Sequence, residues 1–203
     1  MLRVYGVQVP VDARTPAQWL ALLPLPRRNR VAGLRFPGDR VRALAADRLL
    51  RYALRDTWNR PVPLDSWREN RCGKPELAGE PGIHFNLSHS GAVVLCAVAD
   101  APVGVDVERE RSLPEGVARR VLSPEELAQY RREGPAFLIQ AWAMKESCGK
   151  CAGRGLDNAQ LGRPPAPPPG CAVAPLSMPQ GYRGAVCAGE RAPAVIWVNW
   201  ADL

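Results

Sequence analysis

The stretch GAVVLCAVADAPVGVDVE, residues 91–108, decides the fold. Its first half, residues 91–99, is a continuous apolar run that reads as a buried strand. Asp100-Ala101-Pro102 is a turn. In the second half Val103, Val105 and Val107 alternate with Gly104, Asp106 and Glu108, the two-residue period of a half-buried strand. Helical patterns flank this pair. Upstream, Val41, Leu44, Ala45, Leu49, Tyr52 and Ala53 recur at three- and four-residue spacing, which predicts a helix from Gly38 to Thr57, ended by Pro61 and Pro63. Downstream, Ser123-Pro124-Glu125-Glu126 is a helix start: a serine cap, proline in the first turn, glutamate three residues on. A second helix is expected from about Pro135 to Cys151, stopped near Gly153.

The outer segments are less regular. Residues 10–26, rich in proline and leucine, read as irregular structure around a short helix at Pro16–Leu22, followed by a basic cluster of Arg27, Arg28 and Arg30. Residues 71–82 mix glycine and proline with polar residues and read as a loop. LGRPPAPPPG, residues 161–170, is an extended proline-rich loop, and CAVAPLSM and APAVIWVNW in the tail read as strands. Helices followed by strands, twice, predict an α+β fold of two similar halves, residues 1–100 and 101–203.

Composition narrows the function classes. The chain has 203 residues, 46% of them apolar, so it folds and is not disordered. No apolar run approaches the roughly 20 residues of a membrane-spanning helix, and the N-terminus lacks the apolar core of a signal peptide. A cytoplasmic setting follows, with the six cysteines as reduced thiols. Cys148 and Cys151 form a lone C-x-x-C with neither histidine nearby and no second pair, which argues against zinc. A net charge of +7 invites an anionic partner, although a soluble basic surface explains it equally and nucleic acid is not favoured. Of 27 basic residues only Lys74, Lys145 and Lys150 are lysine. Where arginine serves almost everywhere, the remaining lysines mark places where a compact ammonium is wanted.

Three segments carry chemistry. Asp106 and Glu108 lie two apart on a strand, so both carboxylates leave one face, their α-carbons about 6.6 Å apart. Paired oxygen ligands of that kind suit magnesium, which takes one or two carboxylates together with substrate phosphates. A solvated polar face is the plain alternative for D-x-E alone. Glu146 and Lys150 stand four apart on the predicted helix, a spacing that most often means a surface ion pair worth about 0.3–0.5 kcal/mol. Trp142 on the same face, one turn earlier, argues that this face is not fully solvated. Finally, Asn86-Leu87-Ser88-His89-Ser90-Gly91 gathers hydroxyls, an amide and an imidazole before a strand; it is either a polar turn or a set of donors for phosphate.

Taken in order, these segments resemble the three signature regions of the Sfp-type phosphopantetheinyl transferases. GKPEL…IHFNLSHSG (73–91) is similar to G-K-P…F-N-x-S-H-S, GVDVE (104–108) matches the second region, and WAMKESCGKCAGRGL (142–156) is close to W-x-x-K-E-S-x-x-K-x-x-G-x-G-L. The resemblance implies two similar α+β lobes, pseudo-twofold related, with the active site in the cleft between them. It implies transfer of phosphopantetheine from coenzyme A to a serine of an acyl, peptidyl or polyketide carrier domain, with release of 3′,5′-ADP. Asp106, Glu108 and Glu146 would bind magnesium, with manganese an alternative, and Asp106 and Lys150 would also meet the coenzyme A diphosphate. Glu146 would act as base for the serine, directly or through water, and Lys150 would neutralise the leaving phosphate. Lys74, Ser88 and His89 would contact the nucleotide and its phosphates, and Arg27 and Arg30 the 3′-phosphate, where the family usually has lysines. A monomer, without nucleic acid or membrane, completes the expectation.

Two rivals come from other classes. A coenzyme A hydrolase would need a glutamate-rich R-E-x-x-E-E helix, which does not occur here. A non-catalytic module binding coenzyme A or nucleic acid would be expected to lose Glu146 or Lys150, and both are present. None of the motifs addresses the thiol end of coenzyme A, so its pantetheine arm is expected to project toward solvent.

Overall fold

The computed structural model describes residues 1–10, 17–59, 67–77, 79–158 and 160–203. The expected stops at Pro61 and Pro63, and the first residue of the expected helix at Pro16, lie outside them. The chain is mixed α+β, built in four layers. A long helix, α3 (Pro37–Trp58), covers one face of a four-stranded sheet. That sheet runs β4-β5-β1-β9 from β4 (His84–Ser90), β5 (Val93–Ala99), β1 (Leu2–Gln8) and β9 (Val195–Trp197). Its other face packs on a three-stranded sheet, β6-β8-β7, formed by β6 (Gly104–Arg109), β8 (Tyr182–Ala188) and β7 (Ala172–Leu176). A second long helix, α6 (Pro135–Cys151), closes the stack on β6 and β8.

The side-chain periods explain the layering. In β5 every residue is buried, because Val94, Cys96 and Val98 face α3 while Val93, Leu95 and Ala97 face the second sheet. In β6, Val105 and Val107 enter the same inter-sheet core, and Gly104 and Asp106 turn toward α6. The expectation of a half-buried β6 is therefore corrected: both faces are covered as far as Val107, and Asp106 is 3% exposed. α6 lies so close that a Cβ on Gly104 would stand 2.1 Å from the Ser147 carbonyl oxygen, so only glycine fits there.

Several segments depart from expectation. The basic cluster sits on a helix, α2 (Leu25–Ala32), after a short α1 (Ala17–Ala21). Pro24 and Pro26 look like breakers, but Pro24 is the cap and Pro26 falls in the first turn, where no backbone donor is missed. Within the expected loop 71–82, β3 (Pro75–Leu77) pairs with β2 (Trp67–Glu69), and the Asn70 side chain closes their turn by accepting from the Cys72 and Lys74 backbone N–H groups. The polar segment at 86–90 is strand β4 itself, not a turn. β1, β8 and α4 (Glu115–Val121) were not expected at all.

The local signals hold best. α5 (Pro124–Glu133) starts on Ser123 with a reciprocal capping box to Glu126, and α6 occupies the expected span. All six cysteines are free thiols. Cys148, Cys151 and Cys187 are buried in a small apolar cluster with Cys171, and the Cys151 and Cys171 sulfurs lie 3.9 Å apart. Among the described residues no helix is long and apolar enough to cross a membrane. The tail does not stay with the second sheet, because β9 returns to pair in parallel with β1.

Candidate active site

The edge of β6 that is not paired with β8 lies against β4, and the two are joined by side chains. Residues of one parity on β4, Phe85 and Leu87, face the α3 core. The other parity, Asn86, Ser88 and Ser90, reaches across to β6. Asn86 Oδ1 accepts the Val105 N–H at 2.8 Å, Ser88 Oγ the Val107 N–H at 3.3 Å, and Ser90 Oγ the Arg109 N–H at 3.0 Å. The same hydroxyls donate outward, Ser88 to Asp106 Oδ1 at 2.7 Å and Ser90 to Glu108 Oε2 at 3.0 Å. This polar comb satisfies a strand edge that would otherwise be bare and fixes both carboxylates of D-x-E.

α6 supplies the facing groups. Lys150 Nζ donates to Asp106 Oδ1 at 2.5 Å and to Ser88 Oγ at 3.2 Å. Asp106 Oδ2 is buried and has no hydrogen-bond partner among the described residues. Glu146 stands one turn before Lys150. Burial pushes its carboxyl above the usual carboxylate range, with Asp106 and Glu108 adding to the rise and Lys150 opposing it. Burial of like charges beside one ammonium calls for a further cation.

These groups form the floor of a cleft of about 460 Å³. Arg27, Arg30, Ser88, His89, Asp106, Glu108, Glu146 and Lys150 all line it, so the structure brings together eight of the nine residues expected at a site. Lys74 is the exception: its ammonium donates to the Val103 carbonyl at 2.9 Å behind the wall, and burial lowers its pKa. Its neighbours Gly73 and Pro75 do line the cleft. At the far end Arg27 is half-buried, 4.0 Å from the buried Asp47, and burial lowers its pKa, with Arg30 adding and Asp47 opposing. Arg30 is exposed and ion-paired with Glu69. His89, on the α3 side of β4, has its pKa lowered first by loss of solvent and then by Arg42 and Lys150, which keeps the ring neutral near pH 7.

The donor set fits a divalent cation. Asp106 offers an unused buried oxygen, Glu108 and Glu146 flank it, and Lys150 already stands where positive charge is required. Among the described residues no three acidic, histidine or cysteine side chains are drawn together as a closed metal site, so phosphate oxygens would have to complete the shell. Asn86 and Ser90, read from the sequence as part of a polar turn or a set of phosphate donors, instead brace β6 from below the cleft lining. Their signal was the period-two run Asn86, Ser88, Ser90, legible once the segment is read as a strand.

The comparisons with known proteins agree with one another. The family described as the 4′-phosphopantetheinyl transferase superfamily matches residues 102–169. The chain is 30% identical over 161 residues to a 4′-phosphopantetheinyl transferase of Bacillus subtilis, covering 76% of this chain and 72% of the relative. It is 29% identical over 216 residues to the 4′-phosphopantetheinyl transferase psf-1 of Bacillus pumilus, covering 95% and 92%. With the 4′-phosphopantetheinyl transferase Sfp of Bacillus subtilis strain 168 it shares 26% over 213 residues, 93% of each chain.

Proposed function

This chain belongs to the 4′-phosphopantetheinyl transferase superfamily, and we propose that the cleft at the junction of β4, β6 and α6 is where it performs that family's reaction. It is a transferase: phosphopantetheine passes from coenzyme A to a serine of a carrier protein, and 3′,5′-ADP leaves. The observation that carries the placement is Asp106, a buried carboxylate with one oxygen held by Lys150 and Ser88 and the other without a partner among the described residues, in the cleft that Glu146 also lines.

Asp106, Glu108 and Glu146 would hold magnesium, or manganese in its place. The ion supplies charge neutralisation for the diphosphate. The chain's own residues do the rest. Arg27 and Arg30 bind the 3′-phosphate at the far end, and His89 donates to the phosphates from the α3 wall. Ser88 holds Asp106 in place. Lys74 reaches the nucleotide only by leaving the Val103 carbonyl. The carrier serine oxygen attacks the β-phosphorus; the bond from that phosphorus to the bridging oxygen breaks, and 3′,5′-ADP carries the bridging oxygen away. Glu146 takes the serine proton, a role that its raised pKa favours. Lys150 neutralises the charge that develops on the leaving phosphate.

The same reading treats residues 1–100 and 101–203 as two related lobes with the cleft between them. What supports it is that each sheet carries one long helix on its outer face, α3 and α6. The return of β9 to the first sheet is an exchange across that boundary. The enzyme would act as a monomer in the cytoplasm, on acyl, peptidyl or polyketide carriers, with neither nucleic acid nor membrane as partner.

The test is the Glu146→Gln variant, assayed by intact mass on a panel of apo carriers with coenzyme A and magnesium. Most modification should disappear while circular dichroism stays unchanged. A near-parental rate in the folded variant would remove Glu146 from the reaction and the assignment of the cleft with it.

A further inference from the structure

Four of the six cysteines meet where the end of α6 packs on β7 and β8, and none of them lines the cleft. Cys148 and Cys151 come from the last turn of α6, Cys187 from β8, and Cys171 is the residue before β7. Cys148, Cys151 and Cys187 are buried; Cys171 is partly exposed and gives the cluster an entrance. The Cys151 sulfur lies 3.9 Å from the Cys171 sulfur and 3.5 Å from the Pro102 carbonyl oxygen. The partner that the fold gives Cys151 is thus Cys171, and not its neighbour in C-x-x-C. A disulfide needs its sulfurs at about 2.05 Å, so a movement of about 2 Å closes this pair.

We propose that Cys151 and Cys171 are a peroxide-sensitive pair that closes to a disulfide and staples the end of α6 to the start of β7. The Cys171 thiolate attacks one peroxide oxygen, the O–O bond breaks, and the departing hydroxide takes up a proton as water. Cys171 is thereby oxidised to a sulfenic acid. The Cys151 sulfur then gives up its proton and attacks the sulfenic sulfur; the S–O bond breaks and a second water leaves. Two thiols and one peroxide have become one disulfide and two waters. Burial pushes the Cys171 thiol up; its hydrogen bond with Cys187, together with burial, pushes the Cys151 thiol up, and Lys74 opposes that rise. Both therefore rest as thiols near pH 7, which suits a pair that stays reduced until oxidant is sustained.

The staple fixes an arrangement that is already present. Between the two cysteines, the Gly162 N–H donates to the Val121 carbonyl and the Arg163 carbonyl accepts from Lys145. Closing this loop restricts the unfolded chain more than the folded one, so the oxidised protein is the more stable. The cleft is left undisturbed, because Cys151 faces Pro102 and Cys171 while the Lys150 ammonium reaches Asp106.

The test treats the full chain with hydrogen peroxide, alkylates it in denaturant and digests it with trypsin. The four cysteines fall on separate peptides, 146–150, 151–154, 155–183 and 184–191, so mass identifies the joined partners directly. The expected product joins 151–154 to 155–183, and dithiothreitol parts them. Oxidation should raise Tm by roughly 5–10 °C in the parent and not in Cys171→Ser. Transfer to a carrier should stay within about twofold of the reduced form. Four thiols still open to alkylation, a sulfinic acid at Cys171, or a link from Cys148 to Cys187 in place of the expected one would each overturn the proposal. So would a dimer joined through the exposed Cys72 as the only product, or zinc bound at one per chain, which would make the cluster a metal site. Loss of transfer beyond about tenfold, restored by dithiothreitol, would overturn the placement of the staple away from the cleft.

Discussion

Replacing Ser88 by alanine separates two roles for one hydroxyl. Resemblance to the family places Ser88 on the nucleotide, but in the structure it is 8% exposed and occupied elsewhere. Its Oγ donates to Asp106 at 2.7 Å and accepts from the Val107 N–H at 3.3 Å and from Lys150 at 3.2 Å. Ser88→Ala strands the Val107 N–H on the buried edge of β6, at about 1–3 kcal/mol, and removes a hydrogen bond to a charged group, worth about 1.5–3 kcal/mol. Both losses pass through a single oxygen, and cleft water offsets part of them. We therefore expect about 2–3 kcal/mol in total, a fall in Tm of roughly 5–10 °C for a chain of this size. Asp106 should lose its fixed rotamer, so kcat drops while the KM for coenzyme A stays within about threefold. Ser88→Thr, which keeps the hydroxyl, should recover most of the stability. The assays are thermal unfolding and steady-state kinetics with magnesium titrated. A Tm within about 1 °C of the parent, together with a KM raised about tenfold, would show the hydroxyl serving the nucleotide and would refute the positioning argument.

Other expectations follow from the same geometry. Arg30→Ala, at an exposed position paired with Glu69, should raise the KM for coenzyme A roughly 10- to 100-fold, leave Tm unchanged and matter little with 3′-dephospho-coenzyme A; equal losses on both substrates would remove it from the 3′-phosphate. Arg27→Ala should add a loss of stability, because it uncovers the buried Asp47. His84 and His89, the only two histidines, both have lowered pKa values: half-buried His84 chiefly through loss of solvent, and His89, whose ring keeps an exposed edge, through partial loss of solvent with Arg42 and Lys150 adding to it. The folded state then binds fewer protons than the unfolded chain, whose histidines titrate near about 6.5, so stability should fall as pH drops through that value and level off below the folded values. The His84→Gln/His89→Gln double variant should flatten the stability curve between about pH 7 and 5 in denaturant titrations; an unchanged slope would assign the pH dependence elsewhere. Lys145, 1% exposed, donates to Glu126 Oε2 at 2.6 Å and to the Arg163 carbonyl, tying α5 and the proline-rich loop to α6. Lys145→Met should cost about 3–5 kcal/mol by urea unfolding, and a loss below about 1 kcal/mol would show apolar contacts holding that corner instead.

What was legible in the chain divides by the range of the interaction. The capping box at Ser123 and the span of α6 were readable because every partner lies within four residues. Asp106 with Glu108, and Glu146 with Lys150, were readable because a strand or helix period assigns a face without knowing what the face meets. β1 escaped because it is an inner strand of its sheet, buried on both sides from Val4 to Val7, and shows no alternation; its strand state is decided by pairing with β5 and β9, 85 or more residues away. α2 escaped because its prolines stop a helix in the interior and permit one at the start.

The comb on β4 is the instructive case, since its signal was present and misread. Asn86, Ser88 and Ser90 meet Val105, Val107 and Arg109 at a constant offset of nineteen residues, which only two extended segments in register can maintain. Phe85 and Leu87 between them are apolar, so a strand reading leaves one face for the core and the other lined with hydrogen-bonding groups. A buried face of that kind needs partners with unspent N–H groups, and the free edge of a neighbouring strand supplies them. Lys74 marks the opposite limit. Its motif is intact, yet its ammonium rests on the Val103 carbonyl, a placement set by how the β2–β3 hairpin packs against β4, and no local period encodes that. A motif therefore fixes which residues can reach a cleft, while the packing of its neighbours decides which of them already stand there before the substrate arrives.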